Sequence, residues 1–222
     1  MIDDYRNTKY CPSLDNIISA KKAVEGLVKK EHPRAEDMHA YIKKNDGKYK
    51  YEFMKAYNCK CAYCGVSLDL IPIDSFEIDH FLYQGNKNIF PSKKHAGYIE
   101  NLVLSCHSCN HKKNDFLISK DVFEKLHPDG DIIKKVFYRD ELFYIRVAES
   151  EKSNKSIVAF YNLLRLGAEE KRLDYLIMSL IGMQKNHKDK IFLCAKIGEI
   201  LNILRPKRNC KYRCGGAACP EQ

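Results

Sequence analysis

Apolar residues recur at spacings of three and four through Ile17, Ala20, Val24, Leu27 and Val28, which predicts a helix with one apolar stripe, capped from Ser13. After Pro33 a shorter helix is predicted through Met38, Tyr41 and Ile42; Asn45-Asp46-Gly47 then breaks the chain, and Tyr49 to Tyr57 is helical again. From about residue 58 to 116 the pattern changes. Short apolar runs, Phe76-Glu77-Ile78 and Leu102-Val103-Leu104, are interrupted by Cys, His, Asn and Lys. Such a segment buries too little apolar surface to hold itself together, and a structural metal is the usual remedy. Further on, Lys135 to Arg139 and Leu142 to Val147 are β-rich runs parted by Asp140-Glu141, which predicts a hairpin whose aromatics pack across its strands. Three helices follow, through Ile157, Phe160, Tyr161 and Leu164, then Leu173, Leu176, Ile177 and Leu180, then Ile191, Ala195, Ile197 and Leu201, with breaks at Gly167 and Asn186-His187. The tail beyond Pro206 reads as irregular, and no internal repeat is visible.

The chain has 222 residues, 45% of them hydrophobic and 30% charged, with 14 Tyr and 10 Phe, a folding composition that argues against long disorder. That length suits one compact domain with appendages better than two independent domains. No apolar run reaches membrane-spanning length, and Met1-Ile2-Asp3-Asp4 lacks the basic and apolar regions of a signal peptide, so a cytoplasmic protein without membrane association is expected. The net charge of +9 attracts polyanions without naming one. Ten cysteines without an export signal point away from a disulfide framework and towards a metal in a reducing compartment.

Four of those cysteines form two Cys-x-x-Cys knuckles, Cys61 with Cys64 and Cys106 with Cys109, separated by 41 residues. Two residues between thiols let a tight turn aim both sulfurs at one ion, and two knuckles close a four-sulfur structural zinc site. Cys59 stands just ahead as a misregistered alternative, one residue from Cys61. Cys210, Cys214 and Cys219, with Cys194, are spaced poorly for a second site, and Cys11 and Cys194 read as idle or buried thiols.

Between and after the knuckles lie Glu77-Ile78-Asp79-His80, Asn101-Leu102-Val103-Leu104-Ser105 and Asn110-His111-Lys112-Lys113. Here the chain resembles the HNH endonucleases, the ββα-metal nucleases, in their zinc-knuckle branch. Cys61, Cys64, Asp79, His80, Asn101, Cys106, Cys109 and Asn110 follow the family's order and approximate spacing. The resemblance implies that His80 is the general base, that Asp79 and Asn110 hold a catalytic divalent ion, and that Asn101 braces the loop. Asn110 takes a place where the family often has His, and His111 beside it is the alternative ligand. More loosely, a short core with helical extensions is similar to HNH effectors of bacterial restriction and anti-phage defence, including the Septu-type nuclease subunit.

The same residues make chemical sense without the name. Phosphodiester hydrolysis needs a nucleophilic water, a stabiliser for charge growing on the phosphate and help for the leaving oxygen. A neutral imidazole suits the first task, and Asp with an amide or imidazole suits Mg²⁺ or Mn²⁺, with Zn²⁺ or Ni²⁺ as alternatives. Adjacent strand residues face opposite ways, so Asp79 and His80 serve one site only if the strand twists or ends there. Lys112 and Lys113 are candidates for phosphate contact, with a solvated helix face as the competing reading. Arg205, Lys207, Arg208, Lys211 and Arg213 form a basic stretch that reads equally as a nucleic-acid tail or an ordinary terminus. His95 reads as solvent-facing, and His32, His39, His127 and His187 as surface or local hydrogen-bonding residues.

The expected fold is α+β, a zinc-stapled ββα-metal core (58–116) between an N-terminal helical segment (1–57) and a C-terminal hairpin with helices (117–222). The expected function is metal-dependent endonucleolytic cleavage of nucleic acid, DNA favoured over RNA, in bacterial defence or restriction. Two rivals stand beside it. One is a nuclease subunit gated by a partner such as a defence ATPase, for which the apolar helical flanks would also allow a homodimer; the other is a non-catalytic zinc-binding adaptor.

Overall fold

The computed structural model describes residues 4–44 and 47–213, with side chains up to residue 210. Asn45 and Asp46 of the predicted break, Cys214 and Cys219, and the side chains of Lys211 and Arg213 lie outside the described residues. The N-terminal part holds α1 (Ile17–Glu31), α2 (Met38–Ile42) and α3 (Lys48–Ala56). The centre holds β1 (Phe76–His80), β2 (Leu102–Cys106) and α4 (His107–Lys113). Two short helices, α5 (Phe123–Leu126) and α6 (Ile133–Val136), lead to β3 (Phe137–Arg139) and β4 (Ile145–Val147). Three helices close the chain, α7 (Lys155–Leu163), α8 (Glu169–Asn186) and α9 (Ile191–Arg213).

β1 and β2 pair antiparallel from Phe76 opposite Cys106 to His80 opposite Leu102, and α4 leaves directly from the end of β2. This is the ββα arrangement. Its strands are buried on both faces because one apolar cluster runs from Tyr5 and Val28 through Phe53, Leu104 and Phe137 to Met178 and so packs both flanking segments on them. A smaller cluster of Ile177, Ile181, Ile197 and Leu201 joins α8 to α9. No helix among the described residues is long and apolar enough to cross a membrane.

The N-terminal segment is clamped to the first cysteine knuckle by a buried arginine. Arg6 Nη1 donates to Ala62 O and to Pro128 O, both at 2.7 Å, while its Nε and Nη2 donate to the carboxylate of Asp4. The backbone passes so close that an added Cβ at Gly65 would lie 2.4 Å from Arg6 O, and Gly65 itself has φ +79°. Only glycine meets both conditions at low cost.

Local departures from the predicted elements have physical causes. Asn16, with φ 56°, precedes α1 in place of Ser13 as the cap. The buried stripe of α1 is Ile17, Lys21, Val24 and Val28, with Leu27 exposed. Lys21 sits inside because its ammonium reaches Asp129 Oδ2 at 2.5 Å and Glu100 O at 3.2 Å. The hairpin is shorter than the β-rich runs: Asp140 Oδ1 accepts from the amides of Leu142 and Tyr144 and folds 140–144 into a turn with Phe143 at φ 67°. Phe137 packs in the core against Tyr5 and Tyr161, and Phe143 stacks on Tyr175. The tail beyond Pro206 is helical to Arg213, not irregular. Arg208 Nε bonds buried Asp174 Oδ1 at 2.5 Å, which ties the helix to α8 past the one N–H that Pro206 removes. Ile191 and Ala195 of α9 face solvent, and Ile197 and Leu201 carry the packing.

Gly65→Ala is expected to destabilise the protein by at least about 2 kcal/mol, from the left-handed backbone and the contact with Arg6 together. An unchanged denaturation midpoint would refute the close-packed clamp.

Candidate active site

The four knuckle cysteines, Cys61, Cys64, Cys106 and Cys109, are buried with all their sulfurs within 4.8 Å of one another, and Cys64 Sγ lies 3.9 Å from Cys106 Sγ. Four sulfurs around a tetrahedral zinc at 2.3 Å stand about 3.8 Å apart, so the donor set fits that ion. Cys59, half-buried at φ 54°, is outside the group. The first knuckle is a tight turn, with Gly65 N donating to Cys61 O and Cys61 N to Val66 O, and Ala62 N fastens it to Leu104 O on β2. The second knuckle is the junction itself, since Cys106 ends β2 and precedes the first residue of α4. Zinc-knuckle residues therefore hold the hairpin, the turn and the helix at one point. Lys171 of α8 is buried beside them. Burial works against its charge, but the sulfurs of Cys64, Cys109 and Cys106 and the carboxylate of Asp174 hold its ammonium well above the usual lysine range.

Asp79 and His80 lie at the end of β1, 7% exposed each, and line one cleft of about 450 Å³ with Glu77, Asn110, His111 and His39. Alternation along the strand is overcome because β1 stops at His80. Asp79 Oδ2 accepts the Tyr63 hydroxyl at 2.6 Å and stands 3.3 Å from Lys113 Nζ, while Oδ1 has no hydrogen-bond partner among the described residues. Burial raises the Asp79 carboxyl to about 6, with Lys113 and Tyr63 pulling the other way. Burial likewise pushes His80 down to about 3, helped by His39, Lys113 and Lys43. Neither ring nitrogen of His80 has a hydrogen-bond partner among the described residues, so both are open to a water or a ligand.

Asn101 spans the loop after β1. Its Oδ1 accepts from Leu82 N at 2.7 Å, and its Nδ2 donates to Leu82 O at 3.2 Å and Ala96 O at 2.9 Å. Asn110 donates its Nδ2 to Glu77 Oε2, which leaves the amide oxygen for a ligand. His111 is exposed and its ring stacks on His107. Asp79 Oδ1 and Asn110 Oδ1 are two hard oxygen donors, a set that fits Mg²⁺ or Mn²⁺ completed by water and phosphate. Among the described residues the four thiols are the only group of three or more His, Cys, Asp or Glu ligand atoms clustered within 4.8 Å, so His111 does not join the acidic residues in a denser site.

Lys113 is a correction to its expected role in phosphate contact. It is buried, with Nζ donating to His80 O at 2.9 Å and Phe81 O at 3.4 Å besides pairing with Asp79. An ammonium with those three partners has nothing left for substrate. Lys112 bonds Ser108 Oγ at 3.0 Å on the partly exposed side of α4. His95 faces solvent beside Ser92, whereas His127 packs against Phe81 at the edge of the core.

Glu77, Tyr63 and His39, the last read from sequence as a surface or local hydrogen-bonding residue, join this neighbourhood without a sequence-based assignment to it. Glu77 was legible: it shares a strand face with Asp79 two residues on, and it binds Asn110 and His107 Nδ1, the latter at 2.7 Å. Burial opposes its charge, but those two bonds hold the carboxyl below the usual glutamate range. Tyr63 and His39 carry no spacing signal, since tertiary packing alone brings them here.

Residues 61–116 match the family model described as HNH endonuclease. This chain carries an HNH domain. The match covers about a quarter of the chain and contains both knuckles, β1, β2 and α4. No curated protein and no solved structure matches the chain, so the looser likeness to Septu-type effectors gains no support.

Two substitutions test how the HNH domain is held. Cys106→Ala should lose bound zinc and the cooperative melting transition. Lys113→Met, measured at pH 8 without added divalent ion, should cost about 3–5 kcal/mol because an ionised Asp79 is left buried without its counter-charge. The loss should shrink as the pH falls from 8 towards about 6 and level off below it, because without Lys113 the carboxyl titrates above the parent's value and takes up its proton between the two. A loss independent of pH would show that Lys113 acts by packing alone.

Proposed function

We propose that the protein is a metal-dependent endonuclease hydrolysing phosphodiester bonds in nucleic acid, with DNA favoured over RNA and a role in restriction or defence. The observation that carries the reading is the ring of His80, with both nitrogens open, in one cleft with the unengaged oxygens of Asp79 and Asn110. His80 takes the proton of the attacking water, since its ring is unprotonated at working pH and unoccupied by any protein hydrogen bond. Asp79 Oδ1 and Asn110 Oδ1 would hold the divalent ion, which supplies charge stabilisation to the phosphate and the leaving oxygen. Glu77 turns the Asn110 amide so that its oxygen faces the cleft. Asn101 keeps the loop after β1 closed on itself and so fixes the strand end where His80 sits.

A second reading, a nuclease subunit completed by a protein partner, is favoured by the apolar end of α9, where Ile191 and Phe192 are 82% and 78% exposed. The assay that separates them is cleavage of supercoiled plasmid, single-stranded DNA and RNA by the zinc-loaded chain with Mg²⁺, Mn²⁺ or a chelator. Metal-dependent cutting is expected, with His80→Ala slower by about 10²–10⁴-fold. A folded, zinc-loaded protein that cuts nothing would shift the reading to the partner-gated subunit, and an undiminished His80→Ala enzyme would overturn the assigned base.

The pH profile gives a further check. Because His80 sits near 3, its neutral form persists as the pH falls through 6.5, and no acid limb is expected at the ordinary histidine value. A limb near 6 would be that of Asp79 and should move to lower pH as divalent ion is raised, whereas a metal-independent limb at 6.5 would contradict the assignment.

A further inference from the structure

A general base must be oriented, and enzymes ordinarily do this with a hydrogen bond from a third group to the base's second ring atom. His80 has no such bond among the described residues. What touches its ring is another ring: His39 of α2 lies with its centroid 4.3 Å from that of His80, the planes inclined at 48°. His39 is itself fastened, its Nε2 standing 3.2 Å from Ile78 O, the carbonyl two residues before His80 on β1. That contact places the Nε2 hydrogen on the carbonyl.

The helix that carries His39 is firmly seated. Met38 and Ile42, on either side of it, are fully buried. Asp37 caps α2 by accepting from Ala40 N at 3.2 Å. At Gly97, in the loop that Asn101 braces, an added Cβ would lie 1.9 Å from Asp37 Oδ1, so α2 rests directly on that loop. His39 therefore reaches the cleft from outside the HNH segment, on an element whose position is set by packing on both sides.

We propose that His39 is a positioning residue for the reaction, its ring packing on His80 and, anchored by the Ile78 carbonyl, setting the plane in which the base meets water. The inference rests on the nuclease reading above. It makes the N-terminal helical segment part of the working site.

The test uses the full zinc-loaded chain with His39→Ala and His39→Phe, read by single-turnover cleavage, KM, zinc content and the imidazole carbon–proton NMR signals of His80. His39→Ala should keep zinc and hold KM within about twofold while the single-turnover rate falls about 10–100-fold, as a misdirected group would cause. His39→Phe restores a ring and should recover to within about fivefold of the parent. The His80 signals should shift in the alanine variant and return towards the parent's in the phenylalanine variant. Parent-like cleavage by His39→Ala would overturn the proposal, as would a phenylalanine variant as slow as the alanine one with His80 signals returned to the parent's, which would mean that a nitrogen of the second imidazole, and not its packing, serves the reaction. Should the parent not cut at all, the nuclease reading falls, and the NMR arm still decides the contact: His80 signals unmoved in His39→Ala refute it.

Discussion

Asp79 is a carboxylate 7% exposed at the end of a strand, and an ion so placed is tolerable only if opposite charge and hydrogen bonds come to it. Both arrive from the zinc-knuckle residues. Tyr63 stands between the two thiols of the first knuckle and donates its hydroxyl to Asp79. Lys113 ends the helix that the second knuckle begins, and its ammonium joins Asp79 to the carbonyls of His80 and Phe81. The groups that fix the sulfurs in space thus fix the carboxylate and the strand end next to it. Removing Tyr63 or Lys113 leaves the buried carboxylate with one partner fewer, and a lost partner costs about 1–3 kcal/mol for a neutral group and more for a charge.

The partners of Asp79 explain why its second oxygen is available. Tyr63 and Lys113 both approach Oδ2, which leaves Oδ1 without a partner among the described residues, and Glu77 has taken the Asn110 nitrogen, which leaves that amide's oxygen unengaged in the same way. Each of these two side chains is oriented by a bond made through its other atom. Electrostatics in the cleft is mixed. Lys43 and Lys113 depress His80, whereas the carboxylates of Glu77 and Asp79 lie on the neighbouring wall.

The ββα core was legible in the sequence because its chemistry is local. Two Cys-x-x-Cys turns, an Asp-His pair and an Asn are each recognisable within a few residues, and their order gives the pairing of β1 with β2. Residues whose environment is made by distant segments were not legible. Lysine reads as a solvated residue by type, yet Lys21, Lys113 and Lys171 are all buried because a carboxylate, a strand end and a thiolate cluster come to meet them. Pro206 reads as a stop, but a buried ion pair two residues on carries the helix past it. His39 offers no spacing to Asp79 or His80 that a sequence could show.

The zinc site and the outer segments answer one deficit in different ways. A segment of some sixty residues with two five-residue strands and a seven-residue helix cannot bury itself by apolar contact. Four sulfurs on one ion solve the backbone problem, since they pin a turn, a strand end and a helix start to a single point. They do not set side-chain rotation several bonds away, because an ion constrains only what is bonded to it. Rotation is set by packing, which the flanking chain supplies: Phe160 of α7 lies edge-on to Tyr63, Arg6 and Tyr5 close the carbonyl side of the first knuckle, and α2 lays His39 on His80. On this division of labour the metal holds the scaffold of the site and the two extensions aim its side chains. The packed unit around Asp79 and His80 is therefore larger than the segment that matches the family model.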